Sequence, residues 1–151
     1  LHRVGELTAQ LGRYDLGVLS LMALLTPEPA LCEIAQQRPL DLRIDTVQKL
    51  IEARRLSDEM SREFAIVHRN MQPVLGRFAR LAHRTAVATQ RGMAHHKSAD
   101  PPLSIDALER DIVMTLQQCI SLTNLSLCIQ LALAYGVPQG LPNLKESGTS
   151  H

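Results

Sequence analysis

The segment Gln90-Arg91-Gly92-Met93-Ala94-His95-His96-Lys97 brings together the groups needed to work on a phosphodiester. A neutral imidazole, on His95 or His96, can take a proton from a ribose 2′-hydroxyl, and an imidazolium can protonate the leaving oxygen. The Arg91 guanidinium can hold the scissile phosphate and stabilise its added charge. This chemistry calls for no metal and no cofactor. Two copies of the segment across a dimer interface would supply both an acid and a base. His95 stands one helical turn from Arg91, whereas His96 meets it only if the helix loosens at Gly92 or His95. Both histidines also suit the C-terminal end of a helix, where cations meet the negative end of the dipole. Adjacent histidines point about 100° apart on a helix, and no carboxylate is near, so no metal site is expected.

The segment closes a longer basic stretch. Between Glu63 and Asp100 there is no acidic residue. At about 100° per residue, Arg77, Arg80, Arg84, Arg91 and His95 fall within an arc of about 60°. Leu75, Phe78, Leu81, Ala82, Ala86 and Met93 lie mostly on another side, where they can pack inward. Such a face can be merely solvated. Yet like charges one turn apart repel, so an anionic partner is expected. It is either Glu52, Asp58, Glu59 or Glu63 on a neighbouring helix, or a phosphate gripped by arginine forks. Arg77, Arg80, Arg84 and Lys97 are therefore candidate nucleic-acid contacts. With aromatics at 3%, stacking platforms for sequence-specific single-strand recognition are missing.

These residues need helices to hold them. Apolar residues recur at helical spacing from 6 to 26 (Leu7, Leu11, Tyr14, Val18, Leu21, Met22, Leu25), and Pro27 and Pro29 end the run. A short apolar segment spans 30–37. Asp41 can cap a helix over 42–56. Ser57-Asp58 starts a pattern that continues to His96, which Pro73 must kink or split. Residues 97–102 form a loop. Ser104 caps a last helix that runs to Tyr135 and stops at Gly136. The spacing predicts one all-α domain over residues 1–136, an up-and-down bundle of four to six helices, with 137–151 as a flexible tail.

The last helix carries no charge after Asp111 until Lys145. Its length suits a membrane span. Gln117, Gln118, Ser121, Thr123, Asn124, Ser126 and Gln130 argue against one, because lipid offers amides no partner. A helix without charge on any side is buried on more than one side. A second subunit covering its outer side is the simplest arrangement, so a homodimer through this helix is expected. Wrapping by its own chain is the alternative.

The spacing from Arg91 to His96, four residues between, resembles the signature of the HEPN superfamily, small helical bundles that commonly dimerise. The order of parts is similar too: Leu11-Gly12-Arg13-Tyr14 in a first helix, Val47-Gln48-Lys49-Leu50 in a middle one, the arginine–histidine turn, then a long final helix. The resemblance covers about residues 7 to 136. It implies an RNA-binding or RNA-cleaving dimer, a metal-independent ribonuclease with Arg91 orienting phosphate and His96 or His95 moving protons. It equally allows a non-catalytic relative: an antitoxin-like partner or regulatory subunit that binds another protein. A bundle that binds a small molecule in an apolar cavity ranks behind both.

Bulk properties set the frame. The 151 residues suit one core. Net charge is +1, so the chain as a whole selects no partner. Cys32, Cys119 and Cys128 match no zinc spacing and lie in apolar stretches. They read as buried free thiols in a reducing compartment. The start, Leu1-His2-Arg3-Val4-Gly5-Glu6, lacks the features of a signal peptide. A cytoplasmic location is expected.

Overall fold

A computed structural model describes residues 2–90 and 104–136. They form five helices, and no strand occurs among them: α1 (His2–Leu25), α2 (Pro29–Gln36), α3 (Leu40–Ala53), α4 (Asp58–Gln90) and α5 (Ile105–Tyr135). All seven apolar residues that marked the first helix are buried along α1. The helix starts earlier than that pattern does, because Arg3 pairs with Glu6 one turn on and with Glu109 of α5.

Contacts between helices give their directions. Arg3 reaches Glu109, and further along α1 the Leu122 side chain lies against Gly17, so α1 and α5 run side by side in the same direction. Asp15 pairs with Arg43, and Arg54 donates to the Leu25 carbonyl at 2.8 Å, which sets α3 parallel to α1. That second bond also satisfies one of the orphan carbonyls at the α1 C-terminus. Gln48 donates to Ser61 Oγ at 2.7 Å where α3 hands over to α4. α4 then returns in the opposite direction, Phe64, Val67, Met71 and Val74 all buried in the one core.

Both ends of α3 also differ from the sequence expectation. Asp41 is not a cap; α3 begins at Leu40, with Pro39 in the cap position. The ring fixes φ at −54° with an extended ψ of 154°, which presets the entry, and Asp41 sits in the first turn near the positive end of the dipole. The same helix stops at Ala53, since Arg55 adopts φ of 52° to turn the chain into α4. Pro73 does not split α4, which continues through it to Gln90. Ser104 caps α5 as expected, its Oγ accepting from Ala107 N at 3.0 Å.

Candidate functional site

Arg91, His95, His96 and Lys97 lie outside the described residues, as does the tail from 137. The stripe that leads to them is described as far as Gln90, and it is not uniform. Arg77 is neutralised. Its Nε donates to Asp111 Oδ2 at 2.9 Å and its Nη2 to Asp111 Oδ1, a two-pronged pair between α4 and α5. Hydrogen bonding to that carboxylate raises the Arg77 pKa above its ordinary value. The expected acidic partners, Glu52, Asp58, Glu59 and Glu63, play no such part for Arg77. Its partner comes from the last helix. Arg80 is exposed and Arg84 half-buried. Of the apolar residues expected to pack inward, Leu75 and Phe78 do, whereas Ala82 and Ala86 are exposed. Beyond Val74 no described α4 residue is fully buried, because α4 outruns the start of α5.

Asp111 had a sequence signal. It is the last charge before the long neutral run, and it shares helical spacing with Leu108, Ile112 and Thr115, all buried. A carboxylate on an inward face must find a cation. Beside the pair, α4 and α5 enclose a groove of about 390 Å³. Asn70, Pro73, Val74, Arg110 and Met114 line it together with the pair. Among the described residues no group of His, Cys, Asp and Glu is placed to hold a metal.

A second polar cluster lies between α1 and α5. Tyr14 is fully buried, and its hydroxyl has no hydrogen-bond partner among the described residues. Burial, with Cys119 and Asp15 near, pushes its ionisation well above the ordinary range. Burial also raises the Cys119 thiol, opposed by the charge of Arg13. Of the three thiols only Cys32 is buried as expected; Cys119 is half-buried and Cys128 exposed. The helix that carries the last two has an open side, which periodicity alone did not reveal.

That open side is the most prominent surface feature. One side of α5 builds the core through Leu108, Ile112, Leu122, Leu125, Ile129 and Ala132. The opposite side exposes Val113 (52%), Leu116 (37%), Ile120 (61%), Leu127 (53%) and Leu131 (59%). Between them stand only neutral side chains, Gln117, Thr123, Asn124 and Gln130, all exposed. By length and composition α5 also meets the requirement for a membrane span, the one such helix among the described residues. No family model, no curated protein and no solved structure matches this chain.

Proposed function

We propose that the chain is a helical interaction protein that assembles through the outer side of α5, with a second copy of itself as partner. The observation that carries this reading is the row of five exposed aliphatic residues from Val113 to Leu131, on a stretch of helix without charge. Contiguous apolar patches of this kind mark interaction sites. Covering each side chain recovers about 25 cal/mol per Å² of apolar surface. The paired Arg77 supports a scaffold in preference to a phosphate grip at that position, since its charge is already met by Asp111. The interleaved amides of α5 favour water and protein neighbours over lipid. On this reading the molecule is a helical bundle dimerised through α5, in an aqueous compartment such as the cytoplasm.

Sedimentation equilibrium tests it. The wild type is expected at twice the mass of one chain. Ile120→Glu combined with Leu127→Glu is expected to return the single-chain mass with an unchanged helical spectrum. A wild-type protein that stays monomeric at every concentration overturns the reading.

A second reading keeps RNA as the ligand, in line with the HEPN resemblance. It is favoured by Arg80, which is exposed and continues the basic stripe past Arg77 toward Arg91. Arg91 would then orient the phosphate and His96, or His95, would transfer protons, with Arg84 and Lys97 adding backbone contacts. RNA cleavage in chelator, lost in the Arg91→Ala/His96→Ala double variant with its mass unchanged, is the expected result. If the wild type neither cuts RNA nor binds it in a salt-dependent manner, RNA is not the ligand.

A further inference from the structure

We propose that two copies pair their α5 helices antiparallel, about a two-fold axis that passes between Thr123 and Asn124. This deepens the self-association proposed above and rests on it. On the outer side of α5 the order is Val113, Leu116, Gln117, Ile120, Thr123, Asn124, Leu127, Gln130, Leu131 and Ala134, with exposed Cys128 at its edge and exposed Tyr135 at its end. Reversed about the midpoint of Thr123 and Asn124, the row matches itself in polarity. Ile120 comes level with the partner's Leu127, Leu116 with the partner's Leu131, and Val113 with the partner's Ala134. The polar residues fall together as well. Thr123 comes level with the partner's Asn124 on either side of the axis, where short hydroxyl and amide groups can bond each other. Gln117 and Gln130 stand at the margins of the strip, where they can reach water. Each half of the strip is then an aliphatic cluster, and the neutral polar centre fixes the register.

Charge selects between the two possible directions. Glu109 lies on the same strip, one turn before Val113, and Asp106 lies close to it. A parallel pair would set Asp106, and Glu109 with its Arg3 partner, against their own copies at the end of the contact. Like charges directly opposed are destabilising. In the antiparallel pair both carboxylates fall beyond the end of the partner's α5, which closes at Tyr135. Antiparallel helices also align their dipoles favourably.

The available surface is of the right size. From Val113 to Ala134 the strip is about 30 Å long. α1 packs alongside α5 and also exposes Ala9, Gly12, Leu16 and Ser20, with the exposed Arg13 among them near Cys119. A face of that length and two helix widths approaches the roughly 800 Å² per partner that stable complexes bury.

Cysteine cross-linking tests the register. Leu116→Cys and Leu131→Cys are made separately, each with Cys119→Ser and Cys128→Ser to remove the native thiols of α5 that are not buried. Both positions are solvent-exposed, so the fold is expected to survive, and circular dichroism checks it. Two copies of position 116 are about 22 Å apart along an antiparallel pair, far beyond disulfide reach. Under mild oxidation neither protein alone is expected to form a covalent dimer, and the mixture of the two is expected to form one as its main product. If either protein cross-links efficiently to itself, the proposed register is wrong while self-association stands. A non-covalent dimer that gives no cross-link in any combination moves the contact off α5. A monomeric wild type removes the self-association on which the register rests. Flotation of wild-type protein with neutral phosphatidylcholine vesicles would assign the strip to lipid, and the proposal would fall.

Discussion

Arg77 and Asp111 differ in burial, and that difference predicts an asymmetric response to mutation. The Asp111 side chain is 6% exposed, whereas that of Arg77 is 39% exposed. Arg77→Ala leaves a carboxylate inside the α4–α5 contact with its bidentate partner gone. Breaking a buried pair in this way costs about 3–5 kcal/mol, and the solvent that reaches this site argues for the lower end, near 3. Asp111→Ala leaves a guanidinium that can swing into the adjoining groove and hydrate. That variant loses a charge-assisted hydrogen bond and little else, about 1.5 kcal/mol. Replacing both residues by alanine removes the stranded charge, so the double variant is expected within about 1 kcal/mol of Asp111→Ala. The coupling in the cycle is then about 2–4 kcal/mol. Urea unfolding followed by circular dichroism measures all four proteins, held at one concentration because assembly adds apparent stability. A cost below about 1 kcal/mol for Arg77→Ala would refute the reasoning, as would a larger loss from Asp111→Ala than from Arg77→Ala. Either outcome would mean that the pair is a surface contact and does not set how α4 seats against α5.

Two glycines of α1 should respond in opposite ways. Alanine at Gly12 meets no atom within 4 Å and is expected to raise stability by up to about 1 kcal/mol through helix propensity. At Gly17 the new Cβ would stand 3.0 Å from Cδ1 of Leu122, itself buried, so Gly17→Ala is expected to fall below Gly12→Ala in denaturant midpoint. Tyr14→Phe removes a buried hydroxyl without a partner among the described residues and is expected to be neutral or stabilising by about 1 kcal/mol near pH 7. Because burial raises the Tyr14 ionisation in the fold, its contribution is complete below the unfolded value near pH 10 and is lost as pH rises further, by up to about 1.4 kcal/mol per pH unit. Unfolding midpoints of Tyr135→Phe with and without Tyr14→Phe check this, since the fall above pH 10 should be shallower when Tyr14 is absent.

Much of the scaffold was legible in the chain. Leu7, Leu11, Tyr14, Val18, Leu21, Met22 and Leu25 recur at a spacing that leaves a helix one inward side, and that side is the core. Ser104 and Gly136 bound α5 as their chemistry suggests. Boundaries governed by neighbours were less legible: α1 extends to His2 because Arg3 finds Glu109, more than a hundred residues away. Of the two outcomes expected at Pro73, a kink or a split, the split does not occur, since α4 continues through it as one element.

The arginine face marks the division most clearly. The sequence alone determined that Arg77, Arg80 and Arg84 share one side of a helix, because helical periodicity is local and repeats at every turn. It also determined that α5 lacks charge beyond Asp111. Only the tertiary structure decided that Arg77 is answered by Asp111, because the pairing depends on how far α4 slides along α5 before their apolar sides mesh. The same packing decided which side of α5 enters the core and which stays open, and so placed Cys128 in solvent and Asp111 within reach of a cation. A helix whose sides are nearly equal in hydropathy carries no local instruction on that choice; its neighbours make it.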